Sequence, residues 1–363
     1  MRRRQGKVNC WVITVLAVIA LVFFFVESNS KHLVRSRLYE EKFNAARTSA
    51  KAFEIVRNYR QNKVDLPIDS VNDPNGTGLI GLHFSNITYG RSDLSDGLTT
   101  TNPNFGAALI EMLYRIGIRS NDTIAVNWDG TYPALNIEVL AVAKTLALFP
   151  VIVTAQSGGM WGANYQGLTW LEIEQVLRDS GLWNFKSALA TLGGEADDGR
   201  GISPEGRDLL LNIAESLGVP IFIPESISDG VAKRMKLFSE CKALVAVGLP
   251  VTNSGDHLLR LPSRIFTDRH TRAGNGVVAQ FLNNRRPVIH IAKPSRVALD
   301  YRLPVAPVPI PVIGKGRLYY ERRYSVPLAL IFSLIIIILL FITVRYEVEY
   351  YFKAKSQEEG NAV

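Results

Sequence analysis

The residues of this chain that could do chemistry gather in six short, polar, glycine-rich stretches. They are Ser85-Asn86 with Arg91-Ser92-Asp93; Asn127-Trp128-Asp129-Gly130-Thr131; residues 156–164, where Ser157, Met160, Trp161 and Asn164 stand among glycines; Gly193-Gly194-Glu195-Ala196-Asp197-Asp198; Glu225-Ser226; and Thr252-Asn253-Ser254-Gly255-Asp256. Amides, hydroxyls and carboxylates on glycine turns suit ligand binding, because they offer donors and acceptors where a backbone can approach closely. Glycine, asparagine and serine are also the ordinary turn and cap residues of any fold, so one such loop means little. The 157–164 stretch says more, since Met160 and Trp161 between glycines are not what a mere connection needs. Ser85, Asn127, Asp129, Ser157, Trp161, Asn164, Glu195, Thr252, Asn253 and Asp256 are therefore the candidate ligand-binding residues.

Sharper chemistries are weighed against this one. Ala155-Gln156-Ser157-Gly158-Gly159 is one residue short of a nucleophile elbow, and His257, His270 and His290 are the downstream candidate bases. The next helical pattern starts only near Thr169, whereas an elbow needs its helix at once for the oxyanion donor. Glu195, Asp197 and Asp198 are the right ligands for a hard cation, although an acidic surface turn is the commoner reason for such a run. Histidine and cysteine lack zinc spacing, and there is neither a Walker loop nor a Gly-x-Gly-x-x-Gly after a strand. No catalytic set, metal or cofactor is assigned.

These loops fall between elements of a recognisable alternation. Apolar, β-branched runs predict strands over 79–84, 123–128, 151–155, 188–192, 219–223, 243–247 and 288–292. Helical patterns lie between them near 103–116, 132–148, 170–179, 204–217, 227–240 and 277–283, with start signals at Asn102-Pro103, Ser203-Pro204 and the Thr169…Glu172 capping box. Such alternation predicts an α/β fold with a doubly wound, mostly parallel sheet of about seven strands over residues 64–302. In open parallel sheets the loops at the carboxyl ends of the strands converge on a crevice, and the candidate loops follow strands.

Around that domain the chain looks built for a membrane. The apolar runs 8–26 and 326–344 carry no charge, and each approaches the roughly 20 residues that span a bilayer. The alternative for the first is a cleaved signal peptide, for which Val26-Glu27-Ser28 is a poor cleavage site. Lysine and arginine flanking the spans tie at seven on each side: Arg2, Arg3, Arg4, Lys7, Arg345, Lys353 and Lys355 in the tails, against Lys31, Arg35, Arg37, Lys315, Arg317, Arg322 and Arg323. Three arginines beside the terminal amine resist translocation, whereas long domains cross largely regardless of charge. The expectation is a two-pass protein of the cytoplasmic (inner) membrane, with tails 1–7 and 345–363 in the cytoplasm and the main domain periplasmic. Tyr346, Tyr350 and Tyr351 read as an interfacial belt.

The formal charge of +8 is uneven. Residues 27–63 hold nine basic and four acidic side chains, and residues 64–325 hold 25 of each. A neutral core gives no nucleic-acid footprint. Tyr39, Phe43, Ala46, Ala50, Phe53 and Val56 recur at helical spacing, so 27–63 reads as a basic amphipathic stalk of about 50 Å, its apolar stripe packed on the domain or its charge facing a polyanion. Pro304, Pro307, Pro309 and Pro311 make 303–325 an extended arm to the second span. Cys10 and Cys241 fall in a span and in the domain, which rules out a disulfide within the domain.

The string Ser157 to Asn164, the following Thr169-Trp170-Leu171-Glu172-Ile173-Glu174, the Asn127 to Gly130 and Gly193 to Glu195 turns and the two terminal anchors together resemble the bacterial poly-γ-glutamate system protein family, over residues 10–345. The resemblance implies an accessory role in the envelope, beside the machinery that polymerises and exports poly-γ-glutamate. It supplies no active site. An extracytoplasmic hydrolase or amidase acting on γ-glutamyl chains is the alternative.

Overall fold

The computed structural model describes residues 8, 10–256, 258–267 and 274–346. His257 and His270, the tails 1–7 and 347–363, and with them Tyr350 and Tyr351, lie outside these residues. In chain order the elements begin with α1 (Cys10–Asn29), β1 (His32–Arg35), α2 (Tyr39–Lys63), α3 (Leu94–Thr100) and α4 (Phe105–Arg115). Alternation follows: β2 (Thr123–Asp129), α5 (Pro133–Thr145), β3 (Phe149–Ala155), α6 (Trp170–Asp179), β4 (Leu189–Thr191), α7 (Pro204–Ser216) and α8 (Ile227–Leu237). The chain continues through β5 (Leu244–Val247), α9 (Val251–Ser254), β6 (Arg264–Phe266), α10 (Val277–Asn283), β7 (Val288–Ile291) and α11 (Pro294–Asp300), and ends with β8 (Tyr320–Arg323) and α12 (Val326–Arg345). It divides into two units, 1–35 with 320–363, and 36–319.

In the first unit, α1 and α12 are both long and apolar enough to cross a membrane. They lie side by side, with the rings of Phe23 and Phe332 stacked 4.3 Å apart. Beyond them β1 and β8 pair antiparallel, His32 opposite Arg323 and Arg35 opposite Tyr320, and Lys31 sits over the Tyr324 ring. The predicted stalk is thus interrupted: residues 32–35 are a strand, and the helix begins at Tyr39.

The second unit is built on a six-stranded sheet, order β4-β3-β2-β5-β7-β6, parallel except for β6. Five of the seven predicted strands are in it. Residues 79–84 form no strand and bond to the 161–164 loop, and 219–223 makes only a bridge at Ile221, where Pro220 has no N–H to give a ladder. β6, three residues long and led by an arginine, carried too little pattern to be read. Inward faces of β2, β3, β5 and β7 meet α8 and α10 in a core that includes Val153, Phe238, Leu244, Phe281 and Val288, each burial of this size contributing about 1.5–3 kcal/mol.

α2 buries Ala45, Ala46, Ala52, Phe53 and Val56 and packs against α4 and α5. Its buried Lys42 donates to Glu111 and to the Leu318 carbonyl, both at 2.8 Å. Its Arg60 donates to the carbonyls of Leu66, Pro67, Gly78 and Ile80, pinning the irregular segment that follows. The proline-rich stretch is not an arm held off the domain. It is strapped to it through Ala306 N–H to Thr99 Oγ1, Asn75 Nδ2 to the Pro307 carbonyl and Asn104 Nδ2 to the Pro311 carbonyl.

A buried polar thread runs from β2 to α6. Trp128 Nε1 donates to Thr154 Oγ1 at 2.7 Å, the Thr154 and Ser187 hydroxyls lie 2.8 Å apart, and Ser187 donates through Oγ and N to Glu174. The Thr169 capping box opens α6 as its sequence requires.

Candidate functional site

β2 and β3 leave the centre of the sheet on one side, while β5 and β7 extend it on the other, so the loops after β2 and β5 part there. At this carboxyl end lies a cavity of about 640 Å³. Residues from Tyr89 to Asp96 form one wall, residues from Gly248 to Asp256 and from Leu258 to Leu261 another, and Glu195, Tyr132, His290 and Lys293 complete it. Its charges are mixed: Arg91, Arg260 and Lys293 against Asp93, Asp96, Glu195 and Asp256.

Beneath the cavity floor lie buried, hydrogen-bonded groups. Asp129, on the last position of β2, accepts from the N–H of Thr131 through Oδ1 and from the N–H of Leu249 through Oδ2, both at 2.9 Å. Burial pushes its carboxyl up to about 6 against those bonds. Gly248 fits over it because it has no side chain: its φ is +82°, and a Cβ there would stand 2.0 Å from Asp129 Oδ1.

Alongside runs a second network. Arg234 of α8 and Asp197 pair at 2.6 Å with both side chains fully buried. Asp197 also accepts from Thr191, and Arg234 donates Nε to Asn127 Oδ1 at 2.7 Å. Arginine only donates, so the Asn127 oxygen must face it, and Nδ2 is left to donate to Asn253 Oδ1 at 2.7 Å and Thr252 Oγ1 at 3.3 Å. Asn253 Oδ1 is thereby occupied. Its Nδ2 is buried and has no partner among the described residues.

On the β7 side His290 is 3 % exposed, with Nδ1 3.0 Å from the Pro262 carbonyl. A carbonyl only accepts, so Nδ1 carries the proton and Nε2 is the acceptor. Burial holds its pKa down to about 4, and the ring is neutral near pH 7. Tyr132 donates to the Ala292 carbonyl, and its phenol is pushed up by burial and then by Asp96, Asp129 and Asp93. Burial and then Glu195 raise Tyr89.

The structure brings some predicted residues together and not others. Glu195, Asn253 and Asp256 line the cavity, and Asn127, Asp129 and Thr252 bear on it from beneath. Ser85, Ser157, Trp161 and Asn164 do not line it. Ser85 closes a turn with Thr88. Ser157 is buried and its Oγ accepts from the Gly194 N–H at 3.2 Å, which is no posture for a nucleophile. Trp161 holds φ +64° with its ring 4.9 Å from His83, and the Leu82 backbone bonds to both the Trp161 N–H and Asn164. The glycine-rich loop is a clasp on residues 81–92, including Tyr89 N–H to the Gly158 carbonyl and Ser92 to the Met160 carbonyl, and so fixes one cavity wall from behind.

Asp197 corrects the picture of an acidic surface turn, being buried against Arg234, and Asp198 pairs with Arg200. Sequence reasoning passed over Tyr132 and Lys293 because they sit at the start of a helix and at a helix cap, and it weighed His290 only as a base for Ser157, whereas the ring lines this cavity and bonds to the Pro262 carbonyl. The signal that could have found Lys293 is its place two residues beyond the end of β7. The set is one for binding: donors, acceptors and both signs of charge, with no hydroxyl or thiol activated by a base on the described surface. Neither a family model, a curated protein nor a solved structure matches the chain.

Proposed function

We propose that this chain is a two-pass protein of the cytoplasmic membrane whose α/β domain lies on the outer side and assists the production or export of poly-γ-glutamate by binding glutamyl chains. The observation that carries it is the mixed-charge cavity at the carboxyl ends of the strands, in a chain with an apolar helix at each end. In this reading the sheet is doubly wound about the boundary between β2 and β5, the place where such sheets hold ligands. The polymer presents carboxylates and amides, which Arg91, Arg260, Lys293 and the Asn253 amide are suited to receive. The resemblance carried by residues 157–164 points to the same polymer. Its partners would be the membrane and the synthesis and export complex, with no cofactor.

The test is polymer output in producing cells that carry single substitutions. Glu195→Gln and Lys293→Gln should lower output at unchanged protein level, whereas Asn127→Ala, Ser157→Val and Asn164→Ala should lower it only as folded protein is lost. Unaltered output from both cavity variants would overturn the reading. Incubating the full chain with polymer and measuring chain length separates binding from cleavage, and binding leaves the length unchanged.

A further inference from the structure

Poly-γ-glutamate is linked through its side-chain carboxyl. An interior residue therefore shows only an α-carboxylate, while the residue at the amino end keeps an ammonium and a carboxylate on one carbon, the head group of a free amino acid. The cavity described above carries both kinds of partner. Asp96 is buried at its margin, using Oδ1 to accept from the Ser295 N–H, and Asp93 stands at the start of the same helix, α3. Lys293, also on the cavity lining, caps α11, the helix whose Ser295 bonds to Asp96, and Asn253, 3 % exposed, offers an amide N–H₂ that no described protein group takes. A buried donor without a partner costs about 1–3 kcal/mol, so its retention argues for an acceptor supplied from elsewhere. The donor character of that group is set from a distance: Asp197 holds Arg234, Arg234 turns the oxygen of Asn127 toward itself, and the Asn127 amide N–H₂ takes the oxygen of Asn253, leaving its Nδ2 over.

We propose that the cavity recognises an α-amino-acid head group, the carboxylate received by Asn253 and Lys293 and the ammonium by Asp93 and Asp96, so that it binds the amino end of a γ-glutamyl chain and not its interior. Arg234 and Asn127 are positioning residues that keep Asn253 a donor. The identity of the glutamyl ligand rests on the function proposed above; the head-group chemistry rests on the cavity alone.

Calorimetric titration of the full chain in nanodiscs tests it, with L-glutamate, L-alanine, γ-glutamylglutamate, N-acetyl-γ-glutamylglutamate and glutarate as probes. The free-amine compounds should bind, and N-acetylation or use of glutarate should weaken binding roughly tenfold or more, the loss of one charge-assisted contact. Asn253→Asp keeps the acceptor that Asn127 needs and removes the donor, so it should weaken L-glutamate binding by a similar factor at a temperature where circular dichroism shows the variant folded. Lys293→Gln, an exposed change, should do the same. Equal binding of acetylated and free peptide, wild-type affinity in both variants, or no binding of any probe would overturn the proposal. Binding of L-alanine but of neither glutamyl compound would leave the head-group assignment standing and remove poly-γ-glutamate.

Discussion

Glu174 shows how far a single residue can be taken. Its carboxyl is fully buried at the end of the Trp128–Thr154–Ser187 thread, and burial raises it from 4.5 to about 7 against the two bonds from Ser187. A carboxyl raised on folding favours the protonated native state, so its contribution is complete below pH 4.5 and is lost as pH rises through 7. Asp129 acts in the same direction, rising from 3.8 to about 6. Stability should therefore fall between pH 5 and pH 8, by on the order of 3 kcal/mol from Glu174. Glu174→Gln should flatten that slope in urea titrations at the two pH values, and an unchanged slope would mean the carboxyl is not the source. Breaking the ion pair by Asp197→Ala strands a buried guanidinium and should cost about 3–5 kcal/mol, read as a lowered denaturation midpoint. Sequence showed Asp197 as one acid in a run of acids. That it is buried against an arginine 37 positions on is a fact of topology, invisible to spacing.

At the scale of elements, the strands that alternate with helices were legible because buried parallel strands are continuous apolar runs, and Thr169 and Ser203 announced their helices by chemistry that is local. What failed was anything decided by a distant partner. Residues 79–84 look like a strand but are held by Arg60 and Asn164, and the loop that most resembled a binding element is a clasp. Local signals can be checked locally: Thr169→Ala should cost about 1 kcal/mol in thermal or urea denaturation, with the fold intact. Gly248→Ala tests a tertiary one, since φ +82° and the 2.0 Å approach to Asp129 must both yield. It should destabilise by roughly 1–3 kcal/mol and displace the wall that carries Asn253, weakening ligand binding beyond the loss of stability.

For the molecule as a whole, the pairing of β1 with β8 bears on membrane topology independently of any count of charges. These strands adjoin the end of α1 and the start of α12, so two helices that enter a bilayer from the paired strands must leave their far ends on one common face. Cysteine accessibility at Arg4 and at Val363 should accordingly report the same side of the membrane, and opposite sides would mean the pairing does not form. The same ribbon bears on how the protein comes to exist in a cell. Its two halves are roughly 290 residues apart, and at synthesis rates of about 5–20 residues per second the second half emerges some 15–60 s after the first. If both helices span, as proposed, the newborn chain is tethered by a single helix for that interval, while everything from α2 to α11 is free to fold. On that reading closure of the ribbon is the last event of biogenesis, and a ribosome halted before Tyr320 would leave the domain folded while β1 still lacked its partner strand.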